Sequence, residues 1–402
     1  MKSRIKQKKQ AWRIKQLVGG IGILLGLALV WWYWWSTPLL SPLSELTTFK
    51  FINKLTPNSH DKIVYGFLPY WNLEDAEIQP EVTNLAYFGL TLQGDGTVMT
   101  RGEDGLEPGY NKLSSDKILD ICTEFENTER QVEIVLTLFD NDEIVALLTN
   151  PQAAANLNQS LDSLILAYPI KGVNLDIEYS GPVTDQLRQQ LTKLVASVNQ
   201  HLDEKYDDIN LSIDMYAGAA SRYQLWDVAA ISPHVDYIIV MAYDFHLRSS
   251  PTAGPVAPLF GGEEHWDSDI NQHLANFLQV VPKEKILLGV PFYGYEWQTT
   301  TRDSQAHTFP QSGSTASYKR VQELLTQQSE LDVQEHWNEF ALSPYLSYMK
   351  DDEVFVVYYE NSRSLSYKLD YVNQLDLGGI AIWALGYEDN NRELWEVIAG
   401  KL

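Results

Sequence analysis

Three polar residues alternate along one short apolar segment and could carry acid–base chemistry. The segment GVNLDIEY, residues 172–179, has Asn174, Asp176 and Glu178 at every second position. Successive side chains of a β-strand point to opposite faces, so these three share one face and the aliphatic residues between them share the other. Acids are depleted in strands and costly to bury without partners. The pattern therefore indicates a functional site, with a structural polar plug at the rim of a sheet as the alternative.

The two carboxyls could divide the work of acetal cleavage. Asp176 beside Glu178 is a like-charge pair in a sheltered position, which should hold a proton to higher pH than an isolated carboxyl. If Glu178, nearer the end of the strand, keeps that proton, it can deliver it to a leaving oxygen while a charged Asp176 supports a cationic centre. Cleavage through an oxocarbenium-like state needs such a proton donor.

Eight short apolar runs, separated by longer amphipathic segments, predict the fold that positions these residues. The runs span residues 63–69, 84–92, 132–138, 171–177, 209–215, 235–241, 285–291 and 378–384. Most are near-continuous Val, Ile and Leu, which is typical of parallel strands covered on both faces. We therefore predict an α/β fold, a (β/α)8 TIM barrel with its chemistry at the C-terminal ends of the strands. A doubly wound sheet is the alternative, but the first run leads into Pro69 and Tyr70 instead of a glycine-rich phosphate turn.

The stretch between residues 291 and 378 is too long for a simple connection. It contains PYLSYM and EVFVVYYE on either side of a Lys-Asp-Asp turn, which predicts a β-hairpin. We predict a small α+β insertion over residues 297–360, in the seventh unit of the barrel, which could form one wall of a cleft.

The first 60 residues differ in composition from the rest of the chain. Residues 1–16 contain seven Lys or Arg and no acid, and residues 17–35 are uncharged and end in WWYWW. We predict a basic cytoplasmic tail (1–16), a transmembrane anchor (17–35) and a linker (36–60). The body, residues 61–402, would then lie outside the cytoplasmic membrane, with the N-terminus inside. A cleaved signal peptide is the alternative, but the apolar run exceeds a usual h-region and no small-residue cleavage site follows it.

The composition excludes several classes of protein and partner. The 402 residues include 30 basic and 53 acidic side chains, and 45% of residues are hydrophobic, which excludes a disordered chain, a collagen and a coiled coil. The acidic surplus is unsuited to the phosphate backbone of nucleic acid, so a neutral polymer is the easier partner. The single cysteine, Cys122, cannot form an internal disulfide or a multi-cysteine metal site, and we expect it to be a small buried residue. No metal-binding spacing or cofactor fingerprint is visible, so neither a metal nor a cofactor is predicted.

Several segments, in order along the chain, resemble glycoside hydrolase family 18, the chitinases and related β-N-acetylglucosaminidases. The segment at 172–178 is similar to the end of the family's DGxDxDxE signature, with Glu178 at the acid position. MAYD (241–244) resembles its MxYD motif, GVPFYG (289–294) its seventh strand, and Trp383 its strand-eight tryptophan. The resemblance covers roughly residues 62–400.

This resemblance implies retaining hydrolysis assisted by the substrate. Glu178 would protonate the glycosidic oxygen while the carbonyl oxygen of the sugar's own 2-acetamido group attacks the anomeric carbon. Asp176 would accept the acetamido N–H and stabilise the oxazolinium ion, and Tyr243 would donate its hydroxyl to the acetamido oxygen, with Asp244 beside it. The sugar would rest on an apolar subsite whose residues would be Trp383, Tyr179, Met241 and Tyr293, and Tyr70 is a further stacking candidate in the loop after the first strand.

Three positions depart from the family pattern. Lys171 and Asn174 stand where the family signature has its first two acids, and Lys171 lies at the entry of the strand, far from the mouth of the site. Asn174 stands where the signature has an inner acid that can exchange a proton with the middle one, and we expect this amide only to hydrogen-bond Asp176. The GVNxDxE form resembles the bacterial cell-wall and spore-cortex glucosaminidase branch. Tyr295 stands where strand-seven motifs often carry Arg, so a contact between that Arg and the substrate is not assured in this chain.

Three functions are compatible with these features. The first is a membrane-anchored hydrolase of β-1,4-linked N-acetylglucosamine polymers, either chitin-type or peptidoglycan. The second is a catalytically inactive, lectin-like glycan-binding member of the same fold, and the third is a surface scaffold. Retention of Glu178, Asp176, Tyr243 and Trp383 favours the hydrolase, because lectin-like members often lose the acid. The sequence leaves the choice of polymer, and endo or exo action, open.

Overall fold

The computed structural model describes residues 62–102, 105–128, 130–389 and 391–402. The predicted tail, anchor and linker, residues 1–60, lie outside these ranges, so they stay predictions. Within the described ranges, no helix combines the length and the apolar composition needed to cross a membrane.

A closed barrel of eight parallel strands forms the centre of the described chain. In chain order, the strands are β1 (Ile63–Pro69), β2 (Asn84–Thr91), β3 (Arg101–Gly102), β4 (Gly105–Leu106), β5 (Gln131–Leu138), β6 (Gly172–Ile177), β7 (Asn210–Tyr216), β8 (Tyr237–Met241), β9 (Ile286–Pro291), β10 (Tyr293–Thr299), β11 (Ser314–Ser317), β12 (Gln334–Asn338), β13 (Ser343–Lys350), β14 (Glu353–Tyr358) and β15 (Gly379–Trp383). The barrel consists of β1, β2, β5 to β9 and β15, and β1 closes it by pairing with both β2 and β15. The prediction of an α/β TIM barrel is confirmed, and each barrel strand begins and ends within two residues of its predicted run.

Helices surround the barrel and cover its outer face. The α-helices are α1 (Pro108–Leu113), α2 (Asp116–Asn127), α3 (Asn141–Thr149), α4 (Ala153–Ala167), α5 (Asp185–Lys205), α6 (Val228–Ile231), α7 (Ile270–Phe277), α8 (Tyr318–Thr326), α9 (Ser362–Leu375) and α10 (Glu393–Lys401), with 3-10 turns at Ala217–Ala220, Ser232–His234 and Lys283–Lys285. In α5, a run of apolar residues at helical spacing is buried: Leu191, Leu194, Val195, Val198 and Leu202. This helix begins after Thr184, whose hydroxyl accepts a hydrogen bond from the Leu187 N–H. Cys122 is buried on α2, as expected.

Two apolar layers hold the barrel together. Outward-facing strand residues such as Val173 and Leu175 pack with the helices in the larger core. Inward-facing residues such as Phe67, Val135 and Ile239 form a second, smaller cluster inside the barrel. The alternation of faces along each strand separates the two layers.

A second sheet, antiparallel and five-stranded, lies between β9 and α9 in the chain. Its strand order is β11-β10-β14-β13-β12, and α8 packs Val321 and Leu324 into its core. The predicted hairpin is confirmed as β13 and β14, which pair Lys350 with Glu353 across the turn. The strands and helix of this unit extend over residues 293–358. Because β10 begins two residues after β9 ends, this sheet starts at the C-terminal rim of the barrel.

Candidate active site

A pocket of about 330 Å³ opens at the C-terminal ends of the barrel strands. Its volume is within the range of sites that bind small molecules. Its lining consists of Trp71, Phe88, Phe139, Asp176, Glu178, Asp214, Tyr216, Met241, Tyr243, Asp244, Tyr293 and Trp383. Of these described residues, four carry carboxyl groups and none is Lys or Arg, so the pocket concentrates acidic groups without a basic partner among its lining.

The end of β6 supplies the first two carboxyls. Asp176 is 3% exposed, whereas Glu178 stands one step beyond the strand and is only half-buried at the mouth. Burial, and then the charges of Asp214 and Glu178, raise the pKa of Asp176 well above its ordinary value. Burial also raises the pKa of Glu178, although a hydrogen bond from Tyr216 lowers it in part. The two carboxyls therefore hold protons to higher pH than isolated carboxyls would. The raised pKa of the deeper Asp176 departs from our sequence-based assignment, in which Glu178 keeps the proton and Asp176 is charged.

The neighbouring strand β7 supplies two further groups, Asp214 and Tyr216, which sequence reasoning missed. Asp214 is 3% exposed, and burial raises its pKa well above the ordinary value although a hydrogen bond from Asn174 lowers it. Burial, together with the charge of Glu178 and a hydrogen bond to it, raises the pKa of Tyr216, which therefore stays protonated. A signal was present: Ser212, Asp214 and Tyr216 alternate as polar residues along an otherwise apolar run, as the polar residues of β6 do.

Asn174 lies one layer below the pocket and makes a different contact from the one we expected. Its side-chain Nδ2 donates to Ser212 Oγ at 3.0 Å and to Asp214 Oδ1 at 2.9 Å. Asn174 Oδ1 is buried without a hydrogen-bond partner among the described residues. The expectation that Asn174 would only hydrogen-bond Asp176 is therefore wrong. The amide is turned toward β7 because that strand carries an acceptor at the matching height.

Tyr243 and Asp244 follow β8, the strand that pairs with β7. Burial, and then the charges of Asp214, Asp176 and other acids, raise the pKa of Tyr243 well above its ordinary value, so its phenol is a hydrogen-bond donor. Asp244 adopts a left-handed backbone conformation with φ of 61°. Its Oδ1 accepts hydrogen bonds from Tyr293, at 2.5 Å, and Tyr295, at 3.0 Å, which share one face of β10. Tyr295 thus positions Asp244 from the second sheet.

Apolar groups form the rest of the pocket wall. Trp383, at the end of β15, packs edge-on against Phe88 with a ring separation of 4.7 Å. Met241, the last residue of β8, also lines the pocket. Trp71 and Phe139, about half exposed, stand at the rim after β1 and β5. These aromatic rings can contact the C–H faces of a sugar.

Two predicted substrate-binding residues are not in the pocket lining. Tyr179 is 7% exposed, packs into the core between barrel and helices, and donates its hydroxyl to the Pro182 carbonyl. The chain leaves β6 after Ile177, so strand alternation no longer holds at position 179. Tyr70 packs against Trp71 and Gly89, and Trp71 takes the place in the lining that we expected Tyr70 to hold.

Among the described residues, no group of three or more His, Cys, Asp and Glu side chains is arranged to hold a metal ion. The site has a carboxyl with a raised pKa at its mouth, a buried carboxyl that could balance a developing positive charge, and a phenol donor in the same pocket.

A TIM barrel with acid–base carboxyls and aromatic side chains around a pocket at its C-terminal rim is the architecture of many glycoside hydrolases. The family model for Glycosyl hydrolases family 18 matches residues 47–388, and the chain belongs to this family. The prediction of a glycosidase is confirmed at this level.

Individual relatives are distant. The chain is 25% identical over 255 residues to "Probable di-N-acetylchitobiase 2" of Dictyostelium discoideum, covering 57% of this chain and 65% of that one. It is 22% identical over 329 residues to the "Cortical fragment-lytic enzyme" of Bacillus subtilis (strain 168), covering 78% and 68%. The chain thus spans about two thirds of the length of these relatives. A crystal structure of a GH18 chitinase variant from Cycas revoluta in complex with (GlcNAc)4 superposes with a TM-score of 0.71 at 20% identity, covering 84% of this chain and 99% of that one. At this identity the likeness shows the fold.

Proposed function

We propose that this chain hydrolyses β-1,4 bonds of N-acetylglucosamine-containing glycans by a retaining, substrate-assisted mechanism. The observation that carries the proposal is the convergence of Glu178, Asp176 and Tyr243 in one pocket. Glu178 is half-buried at the mouth, where a saccharide can reach it. The Cycas chitinase that shares the fold binds (GlcNAc)4, and this supports the choice of glycan.

The roles follow from position and protonation. Protonated Glu178 donates to the glycosidic oxygen as the acetamido carbonyl oxygen attacks the anomeric carbon, and the Glu178 carboxylate then accepts a proton from the incoming water. Asp176, below it, accepts the acetamido N–H and balances the positive charge of the oxazolinium ion. Tyr243 donates to the acetamido oxygen, which its raised pKa permits at neutral pH. Trp383, in the pocket wall, supports the sugar ring.

Replacing Glu178 tests the enzyme against the lectin-like alternative. Glu178→Gln removes the transferable proton but keeps the size of the side chain, so turnover of chitin oligomers and of peptidoglycan strands should fall by at least about a hundredfold while glycan binding persists. Mass spectrometry of the products, with both polymers as substrates, measures turnover and identifies the polymer cleaved.

Glu77→Gln is a matched control, since Glu77 is an exposed acid on the loop after β1, and it should retain wild-type turnover. If the wild type and Glu178→Gln release reducing ends equally slowly, the chain is not a hydrolase of these polymers. Binding without turnover in the wild type would favour the lectin-like function.

We also propose that residues 17–35 anchor the chain in the cytoplasmic membrane, with the N-terminus inside and the barrel outside. The support is in the sequence, in the uncharged run of residues 17–35 behind a tail of seven basic residues. An extracytoplasmic position would place the barrel where cell-wall glycans are accessible.

A further inference from the structure

Asp214 lies beside Asp176 on the adjacent strand. The last matched pair of β6 and β7 is Leu175 with Ile213, so Asp176 and Asp214 are the next residues on the two strands. Both are 3% exposed and both line the pocket. After burial, the charge of Asp214 is the largest cause of the raised pKa of Asp176.

Hydrogen bonding distinguishes the two carboxyls. Asp214 Oδ1 accepts a hydrogen bond from Asn174 Nδ2 at 2.9 Å, a donor that favours a carboxylate at position 214. Asp176 Oδ1 is buried and has no hydrogen-bond partner among the described residues. Of the pair, Asp214 is therefore the better place for the negative charge, and Asp176 is the better place for a proton.

The groups around Asp176 and Asp214 favour a state in which the two carboxyls share one proton. The titratable groups whose charges reach Asp214 are Asp176 and Glu178 on the β6 side, Glu133 on β5, Tyr65 on β1, and Tyr243 after β8. Tyr216 follows it on the same strand and interacts with Glu178. All of these groups are acids or phenols, and two neighbouring carboxyls without a nearby cation do not both ionise readily.

We propose that Asp214 is a positioning residue that shares one proton with Asp176 and takes that proton when substrate binds. This inference rests on the proposed function. In the substrate-free site, Asp176 is the carboxylic acid and Asp214 the carboxylate. When the acetamido N–H approaches, the O–H bond of Asp176 breaks and an O–H bond forms on Asp214. The negative charge thereby moves to Asp176, where the oxazolinium ion needs it. Charge and protons are conserved within the pair, and the transfer reverses when product leaves.

The test compares kcat and KM across pH for four full-length chains. These are the wild type, Asp214→Asn, the exchange variant Asn174→Asp with Asp214→Asn, and the control Asp207→Asn at an exposed acid before β7. Asp214→Asn should lower kcat by at least about tenfold with KM changed less than about threefold. The acid limb of its kcat profile should move to higher pH, because the Asp176 carboxylate loses the shared proton of Asp214 that stabilises it in the complex. The exchange variant restores an acid beside Asp176. It should recover both the wild-type kcat and the wild-type position of the acid limb on the pH scale.

A second readout does not depend on turnover. A thiazoline mimic of the cyclised intermediate should bind through the Asp176 carboxylate, and the pH dependence of its dissociation constant should shift in Asp214→Asn in the same direction as the kcat limb. Binding of the mimic also shows that each variant is folded.

The outcomes separate this inference from the proposed function. If Asp214→Asn leaves the limb in place, or the exchange variant fails to restore it, Asp214 has only a structural role and the inference is overturned. If the wild type cleaves no glycan but the mimic binds with the shifted pH dependence, the proposed function fails and proton sharing stands.

Discussion

At the scale of single residues, the barrel interior holds an acid that the proposed chemistry does not use. Glu133, on β5, is fully buried and lies level with Gly172 of β6, two residues before Asn174. It accepts hydrogen bonds from the Tyr65 hydroxyl at 2.8 Å and from Asn84 Nδ2 at 2.9 Å. Burial nevertheless raises its pKa to about 7, because these neutral donors do not replace the hydration of a carboxylate.

Glu133 should make the protein less stable as pH rises. Its pKa in the folded chain, about 7, lies above the ordinary value of 4.5, so the folded state binds more protons than the unfolded state between these values. The free energy of unfolding must then fall as pH increases from about 4.5 to about 7. Glu133→Gln removes this contribution and should be more stable relative to wild type at pH 8 than at pH 5, by on the order of 2–3 kcal/mol. Denaturant unfolding at the two pH values measures the difference.

The exposed acid Glu126 provides the control for that measurement. Glu126→Gln should leave the pH dependence of unfolding unchanged. Parallel pH profiles for the wild type and Glu133→Gln would mean that Glu133 is ionised at little cost inside the barrel.

At the scale of elements, the contact between β5 and β6 explains why the motif begins with glycine. β5 pairs Glu133 with Gly172. A Cβ added at Gly172 would lie 2.5 Å from Glu133 Cγ, which is well inside van der Waals contact. Gly172 thus makes room for the buried acid of the neighbouring strand.

Gly172→Ala should therefore destabilise the barrel by about 1–3 kcal/mol, the usual cost of overpacking. Combining it with Glu133→Ala removes the clashing atoms, so the double variant should be more stable than the sum of the two single changes predicts. Thermal and denaturant unfolding of the three variants measure this coupling. Gly102→Ala, where an added Cβ meets nothing within 4 Å, is the control. Strictly additive effects would contradict the packing argument.

The two sheets meet at the active site through hydrogen bonds between elements. Tyr293 and Tyr295 of β10 donate to Asp244, which follows β8. The second sheet thereby fixes the side chain next to Tyr243, which indicates that it contributes to the geometry of the pocket as well as to its wall.

At the scale of the whole molecule, charge is distributed unequally along the chain. Residues 1–16 hold seven of the 30 basic side chains, so the rest of the chain carries 53 acidic groups against 23 basic ones. A basic tail before an apolar run favours a cytoplasmic N-terminus, and the acidic remainder is suited to solvent.

Deleting residues 2–35 tests the proposed anchor. The full chain, expressed in bacterial cells, should sediment with membranes, resist a high-salt wash and be released by detergent, whereas the shortened chain should stay in the supernatant. Protease added to intact spheroplasts should digest the barrel of the full chain if it lies outside. Release of the full chain by salt alone would argue against a membrane span.

Periodicity along the chain was sufficient to locate the barrel strands, the faces of β6 and the β13–β14 hairpin. Each of these depends on residues a few positions apart, whose directions the backbone dictates. Asp176 and Glu178 could be assigned to one side of a strand for the same reason.

The residues that neighbour Asp176 and Glu178 on the adjacent strand are determined by strand pairing in the closed barrel. Asp214 and Tyr216 stand nearly 40 positions after Asp176 and Glu178, and they become their neighbours because β7 pairs in register with β6. In that register, the Asn174 amide hydrogen-bonds β7, and Asp214 lies next to Asp176. Because β6 ends at Ile177, Tyr179 lies outside the pocket lining. Contacts between strands depend on register and on where each strand stops, and these are properties of the assembled sheet that no local pattern contains.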